Sequence, residues 1–90
     1  MDPTIAVNER VDVVALYQKG KDVSVNCFPC KMRYQGRDII FTKRAFHHPT
    51  AKGKRMIHVF DMSDRSNDYR LEFDAESLTW ILIAVIEGRS

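Results

Sequence analysis

Tyr69-Arg70-Leu71-Glu72-Phe73-Asp74 sets three apolar side chains at alternate positions with charged ones between them. Only an extended chain with one buried face sorts residues this way, because successive strand side chains point to opposite sides. An α-helix would scatter the same apolar residues around its axis. A short polar stretch then leads into Leu78-Thr79-Trp80-Ile81-Leu82-Ile83-Ala84-Val85-Ile86, and five of the ten residues 78–87 are β-branched. Branching at Cβ favours a strand. Asp74 as an N-cap, Glu76 in a first turn and Gly88 past the end are the signals of a helix over about 75–87, which would give an α+β fold as the alternative. That helix would be apolar all round, so the strand is the preferred reading. The strand has two greasy faces. With Trp80, Leu82 and Ile86 inward, Ile81, Ile83 and Val85 are left outside, and they are expected to form an interface with the N-terminal arm or a second copy.

The preceding chain also reads as strands and turns. Val11-Asp12-Val13-Val14-Ala15-Leu16-Tyr17 is β-rich and ends at the turn signal Lys19-Gly20-Lys21-Asp22. Val23-Ser24-Val25-Asn26-Cys27-Phe28 alternates until Pro29, which belongs at an edge or a bulge, and a short piece over 31–34 follows. Gln35-Gly36 is a tight-turn signal. Residues 37–48 read as one long strand, with a bulge or twist at the basic pair Lys43-Arg44. Residues 49–54 read as a loop, 55–62 as a strand and 63–68 as a polar turn. The expected fold is mainly β: a single antiparallel meander of five or six strands curled into a sandwich or a partly open barrel. Ninety residues hold one core, so residues 1–10 are an arm and 11–88 one small domain.

The run Met32-Arg33-Tyr34-Gln35-Gly36-Arg37-Asp38-Ile39-Ile40-Phe41 stands between Val11-Asp12-Val13 upstream and the Tyr69–Asp74 and Trp80-Ile81-Leu82 segments downstream. This outline resembles a group of small bacterial β domains with a Val-x-Val start, an aromatic-x-Gly-Arg centre and a Tyr-x-Leu, Trp-x-Leu finish. Tyr34 stands where that outline has tryptophan, with one extra residue before Gly36-Arg37. The resemblance implies a compact β fold, no established activity and no functional residue to carry over.

Cys27-Phe28-Pro29-Cys30-Lys31 has the spacing of a thioredoxin-like redox motif, whose chemistry needs a helix to lower the first thiol's pKa. The following residues turn at Gly36 and become β-branched, which leaves no room for that helix. Zinc would need two more ligands, and His47, His48 and His58 lack the spacing that brings them to Cys27 and Cys30. Thiol redox or zinc binding at this pair is therefore a minor alternative, and no cofactor or metal is expected. The serines lack a nucleophile elbow, the glycines stand singly and the acids occupy turns and a strand face. No enzyme is read here.

Charge is segregated. Residues 1–30 sum to −1, residues 31–55 to +7 and residues 56–90 to −4, within a net +2. Cations interleaved with aromatic rings are the pattern of single-stranded nucleic-acid grooves. On that alternative, Arg33, Arg37, Lys43, Arg44, Lys54 and Arg55 would hold phosphates and Tyr34 would stack on a base. The leading expectation is a non-enzymatic interaction module, a homo-oligomer or the binder of a protein partner. No export signal is expected, and the longest apolar run, residues 80–86, falls far short of the ~20 residues that span a bilayer. The expected compartment is the cytoplasm, with no membrane partner and two reduced thiols.

Overall fold

The computed structural model describes residues 4–19 and 25–88. Eight strands follow one another: β1 (Thr4–Arg10), β2 (Asp12–Lys19), β3 (Val25–Tyr34), β4 (Arg37–Ile40), β5 (Lys43–Lys52), β6 (Arg55–Ser63), β7 (Asp68–Asp74) and β8 (Thr79–Ile86). They form two antiparallel sheets, a larger one in the order β1-β8-β7-β6-β5 and a smaller one in the order β2-β3-β4. The fold is a β-sandwich. The barrel alternative does not apply, because the sheets stay separate, and the C-terminal helix is replaced by β8.

The alternation in β7 acts as the sequence requires. Tyr69, Leu71 and Phe73 are buried, and together with Phe60, Met62, Trp80, Leu82 and Val85 they supply the larger sheet's share of the core. The smaller sheet answers with Met32 and Ile39, and Val13, Ala15, Cys27 and Tyr34 pack around them.

Several expectations are corrected. The strand expected over 37–48 breaks at Phe41-Thr42, where the chain changes sheets. The Phe41 N–H donates to the Cys30 carbonyl of β3 at 2.9 Å, and the next N–H, of Thr42, donates to the Ser63 carbonyl of β6 at 2.8 Å. The loop expected over 49–54 shrinks to a two-residue turn. Pro49 is accommodated inside β5 because β5 is an edge strand, where a missing N–H costs no ladder bond. Gly53, at φ 65°, opens that turn, and Gln35 and Gly36, at φ 52° and 73°, form the β3–β4 turn with both central residues left-handed. Residues 4–10 are not a loose arm, since β1 pairs with β8. Residues 25–34 form one strand, not two, and the turn expected around 19–22 lies mostly outside the described residues.

Bulges account for the remaining differences. The register of β4's neighbour β3 slips against β2 at Val14/Ala15, leaving Cys30 as the extra residue, and Pro29 is fully buried beside it. A second slip, next to Arg44, falls where the basic pair predicts it. A third sits on β8, where Leu71 faces Leu82 but Arg70 faces Ala84, so Ile83 is the extra residue. One additional residue reverses every side chain beyond it. Val85, read as an outward interface residue with Ile81 and Ile83, therefore turns inward and is buried in the core, while Ile81, Ile83 and Ile86 are half-buried.

Candidate functional site

The cation-rich segment does not converge on one surface. Arg33 and Arg37 lie near the β3–β4 turn, Lys43 and Arg44 at the start of β5, and Lys54 and Arg55 at the β5–β6 turn. From Arg44 to Lys52 an extended strand climbs eight residues, about 27 Å at the usual rise per residue. Near that far turn acids of β7 and its following turn neutralise the cations: Lys52 Nζ lies 2.8 Å from Glu72, and Arg55 lies 2.9 Å from Asp74 and 3.7 Å from Glu76. Arg33 pairs with Asp38 across β3 and β4 at 3.1 Å. These pairs are solvent-exposed on their basic side, so each contributes well under about 1 kcal/mol to stability, but together they cancel the local field. Tyr34 is half-buried and packs against the core. Arg37, Lys43 and Lys54 are exposed.

The acids of the turns are structural. Asp64 Oδ1 accepts the N–H groups of Ser66 and Asn67 at 3.0 and 2.8 Å, and its Oδ2 accepts the Tyr69 hydroxyl at 2.8 Å. Burial works against the Asp64 carboxylate, but those donors outweigh it and hold its pKa below the ordinary value. Tyr69, buried and donating to a carboxylate, is pushed up to about 12.

Reactive side chains do gather in one place, a cleft of about 260 Å³ between the sheets. Tyr17 and Cys27, cross-strand neighbours on β2 and β3, form one wall. Arg44, His47 and His58, on β5 and β6, form the other, above Phe60 and Phe73. The His47 ring lies flat on Phe60, with centroids 4.3 Å apart and planes at 4°. Its Nε2 is 3.3 Å from His58 Nδ1, so the two imidazoles share a proton as donor and acceptor. Desolvation, and then the positive fields of His58, Arg44 and His48, lower the His47 pKa, which leaves it neutral at pH 7. Arg44 holds its guanidinium 5.4 Å from the centroid of Phe28. His48 faces the other way, against Phe46.

Cys27 and Cys30 are free thiols. Burial raises the Cys27 pKa, the Tyr17 hydrogen bond opposes the rise, and the proximity of Cys30 adds to it. Cys27 lies within a strand and not at a helix N-terminus, so nothing here makes the thiolate that redox exchange needs. Among the described residues no three His, Cys, Asp or Glu side chains converge as metal ligands.

An exposed apolar row also lies on the outer face of the smaller sheet. Along β2, Val13, Ala15 and Tyr17 face the larger sheet, so Val14 and Leu16 face away, 55% and 41% exposed. Val14 is opposite Lys31, which is opposite Ile40, itself 56% exposed. One row along, Asp12, Arg33 and Asp38 lie side by side across the same strands. Val13-Val14-Ala15-Leu16 is apolar without a break, so no period in the sequence tells its inner from its outer members. Among the described residues no helix is long and apolar enough to cross a membrane. Comparison with known proteins finds no matching family model, no matching curated protein and no matching solved structure.

Proposed function

We propose that this chain is a non-enzymatic interaction module that self-associates through its three-stranded sheet. The observation that carries the reading is the row of Val14, Leu16 and Ile40, exposed on one face and bordered by β2, a sheet edge of eight residues without proline. An open, regular edge invites another strand. The occupant we favour is a second copy. If β2 pairs antiparallel with itself about a twofold axis at Ala15, Val14 meets Leu16 of the copy and Val13 meets Tyr17. Every outward residue then opposes an outward one, as an isologous contact requires. The two small sheets become one six-stranded sheet with a shared apolar stripe. The free thiols suit the reducing cytoplasm.

The split and partly neutralised cations favour this reading over single-stranded nucleic acid, and the protonated Cys27 favours it over redox exchange. Sedimentation velocity across a concentration series from micromolar to several hundred micromolar tests it. The expected result is a shift from 10.4 kDa to twice that mass. Leu16→Lys, which places a charge in the paired stripe, is expected to weaken the association at least about tenfold. A mass that stays monomeric throughout the series, or a Leu16→Lys variant that associates equally well, would refute it.

A further inference from the structure

The cleft between Tyr17–Cys27 and Arg44–His47–His58 is polar at its mouth and aromatic at its floor, the construction of small-molecule sites. We propose that it binds a small organic monoanion, a one-ring carboxylate, with the carboxylate on Arg44 and the ring against Cys27, Phe60 and Phe73. The inference is independent of self-association.

Size is the first argument. About 260 Å³ is below the usual ~300–1,000 Å³ of sites for drug-sized ligands, so a single ring fits and a nucleotide does not. Charge is the second. Among the described residues no aspartate or glutamate lines the cleft and Arg44 has no carboxylate partner, in contrast to Arg33, Arg55 and Arg70. Phe28 holds the guanidinium beside the opening without neutralising it. A guanidinium held over a ring and left without a carboxylate partner is complementary to an anion. Valence is the third. Among the described residues Arg44 is the only arginine or lysine that lines the cleft, so the site offers one guanidinium and suits a monoanion better than a phosphate dianion, with the His47–His58 pair beside it to donate a hydrogen bond. Tyr17 supplies a hydroxyl at the rim.

Benzoate is the test ligand, titrated into the full chain and followed by amide and histidine-ring NMR shifts. Saturable shifts at Tyr17, Cys27, His47 and His58, with a dissociation constant of about 1 mM or tighter, are expected. Benzyl alcohol, of similar shape but neutral, is expected to bind at least tenfold more weakly. Arg44→Gln, with an otherwise unchanged amide spectrum, is expected to weaken benzoate about tenfold. Bound benzoate would also raise the His47 pKa, a readout independent of the shifts. Shifts that never saturate, equal binding of benzyl alcohol, equal competition by inorganic phosphate, or an Arg44→Gln variant that binds benzoate undiminished would each overturn the proposal.

Discussion

Truncating Met32 to alanine tests how the two sheets are held together. Met32 is 0% exposed, and among the described residues only Met32 and Ile39 of the ten in the central buried cluster come from the smaller sheet. The other eight belong to β6, β7 and β8. Met32→Ala truncates one of the two residues that the smaller sheet gives to that cluster, at a cost of roughly 2–5 kcal/mol for a fully enclosed methionine. A 90-residue domain has about 4–13 kcal/mol in total, so the loss is a large fraction of its stability. The damage is also local. Met32 lies between the sheets, so its removal spares the ladders within each and loosens their contact. Urea unfolding should show the lower midpoint, and native-state hydrogen exchange should show amides of β2, β3 and β4 losing protection before those of β6, β7 and β8. Leu82→Ala, also truncating a residue at 0% exposure but within the larger sheet, should lower protection in both sheets together. Were Met32→Ala to cost less than about 1 kcal/mol, or to weaken both sheets equally, the smaller sheet would not be a separately detachable layer.

Tyr69→Phe removes the hydroxyl that donates to Asp64 and accepts from Asn67, and should cost about 1–2 kcal/mol in urea unfolding, with the Asp64 pKa rising by NMR as it loses a donor. On the acid side, the folded pKa of His47 is depressed, so the unfolded chain binds the proton first. Stability from this group is complete above about pH 6.5 and declines as the pH falls from there towards the folded value. Thermal unfolding between pH 8 and 5 should show that decline, and His47→Phe should flatten it. On the alkaline side, Tyr69 rises to about 12 against an ordinary value of 10.0, so its contribution is intact below pH 10 and is lost as the pH climbs from 10 to 12. Thermal unfolding across that range should show the loss in the native chain and not in Tyr69→Phe.

The sequence was most readable where one residue type leaves one solution. The charge alternation of β7 and the left-handed pair Gln35-Gly36 needed no tertiary information. Asp74 is an instructive mixture. Its carboxylate accepts the N–H groups of Glu76 and Ser77, as an N-cap does, but Leu78 takes a φ of 58° and sends the chain into β8. The cap was real and the helix was not, because the β-branched residues beyond it favour an extended chain. The sheet change at Phe41-Thr42 was hidden, since its cause is two carbonyls, Cys30 and Ser63, on strands of different sheets. The outward members of β2 were hidden by its unbroken apolar run. The cleft was hidden too: neighbouring positions on β5 and β6 put His47 beside His58, but only the stacking of one sheet on the other brings Cys27 to face them.

The bulge at Cys30 connects the core to that cleft. Cys27 and Met32 are five residues apart, and in an uninterrupted strand an odd separation puts them on opposite faces. Yet Met32 is in the core and Cys27 packs against it. The unpaired residue at Cys30 adds one position and reverses the alternation, so both face the larger sheet. Pro29, whose missing N–H would break a regular central strand, lies fully buried next to this irregularity. Cys-Phe-Pro-Cys is thus better understood as backbone geometry than as redox chemistry: the proline and second cysteine make the bend, and the bend aims the first cysteine into the cleft.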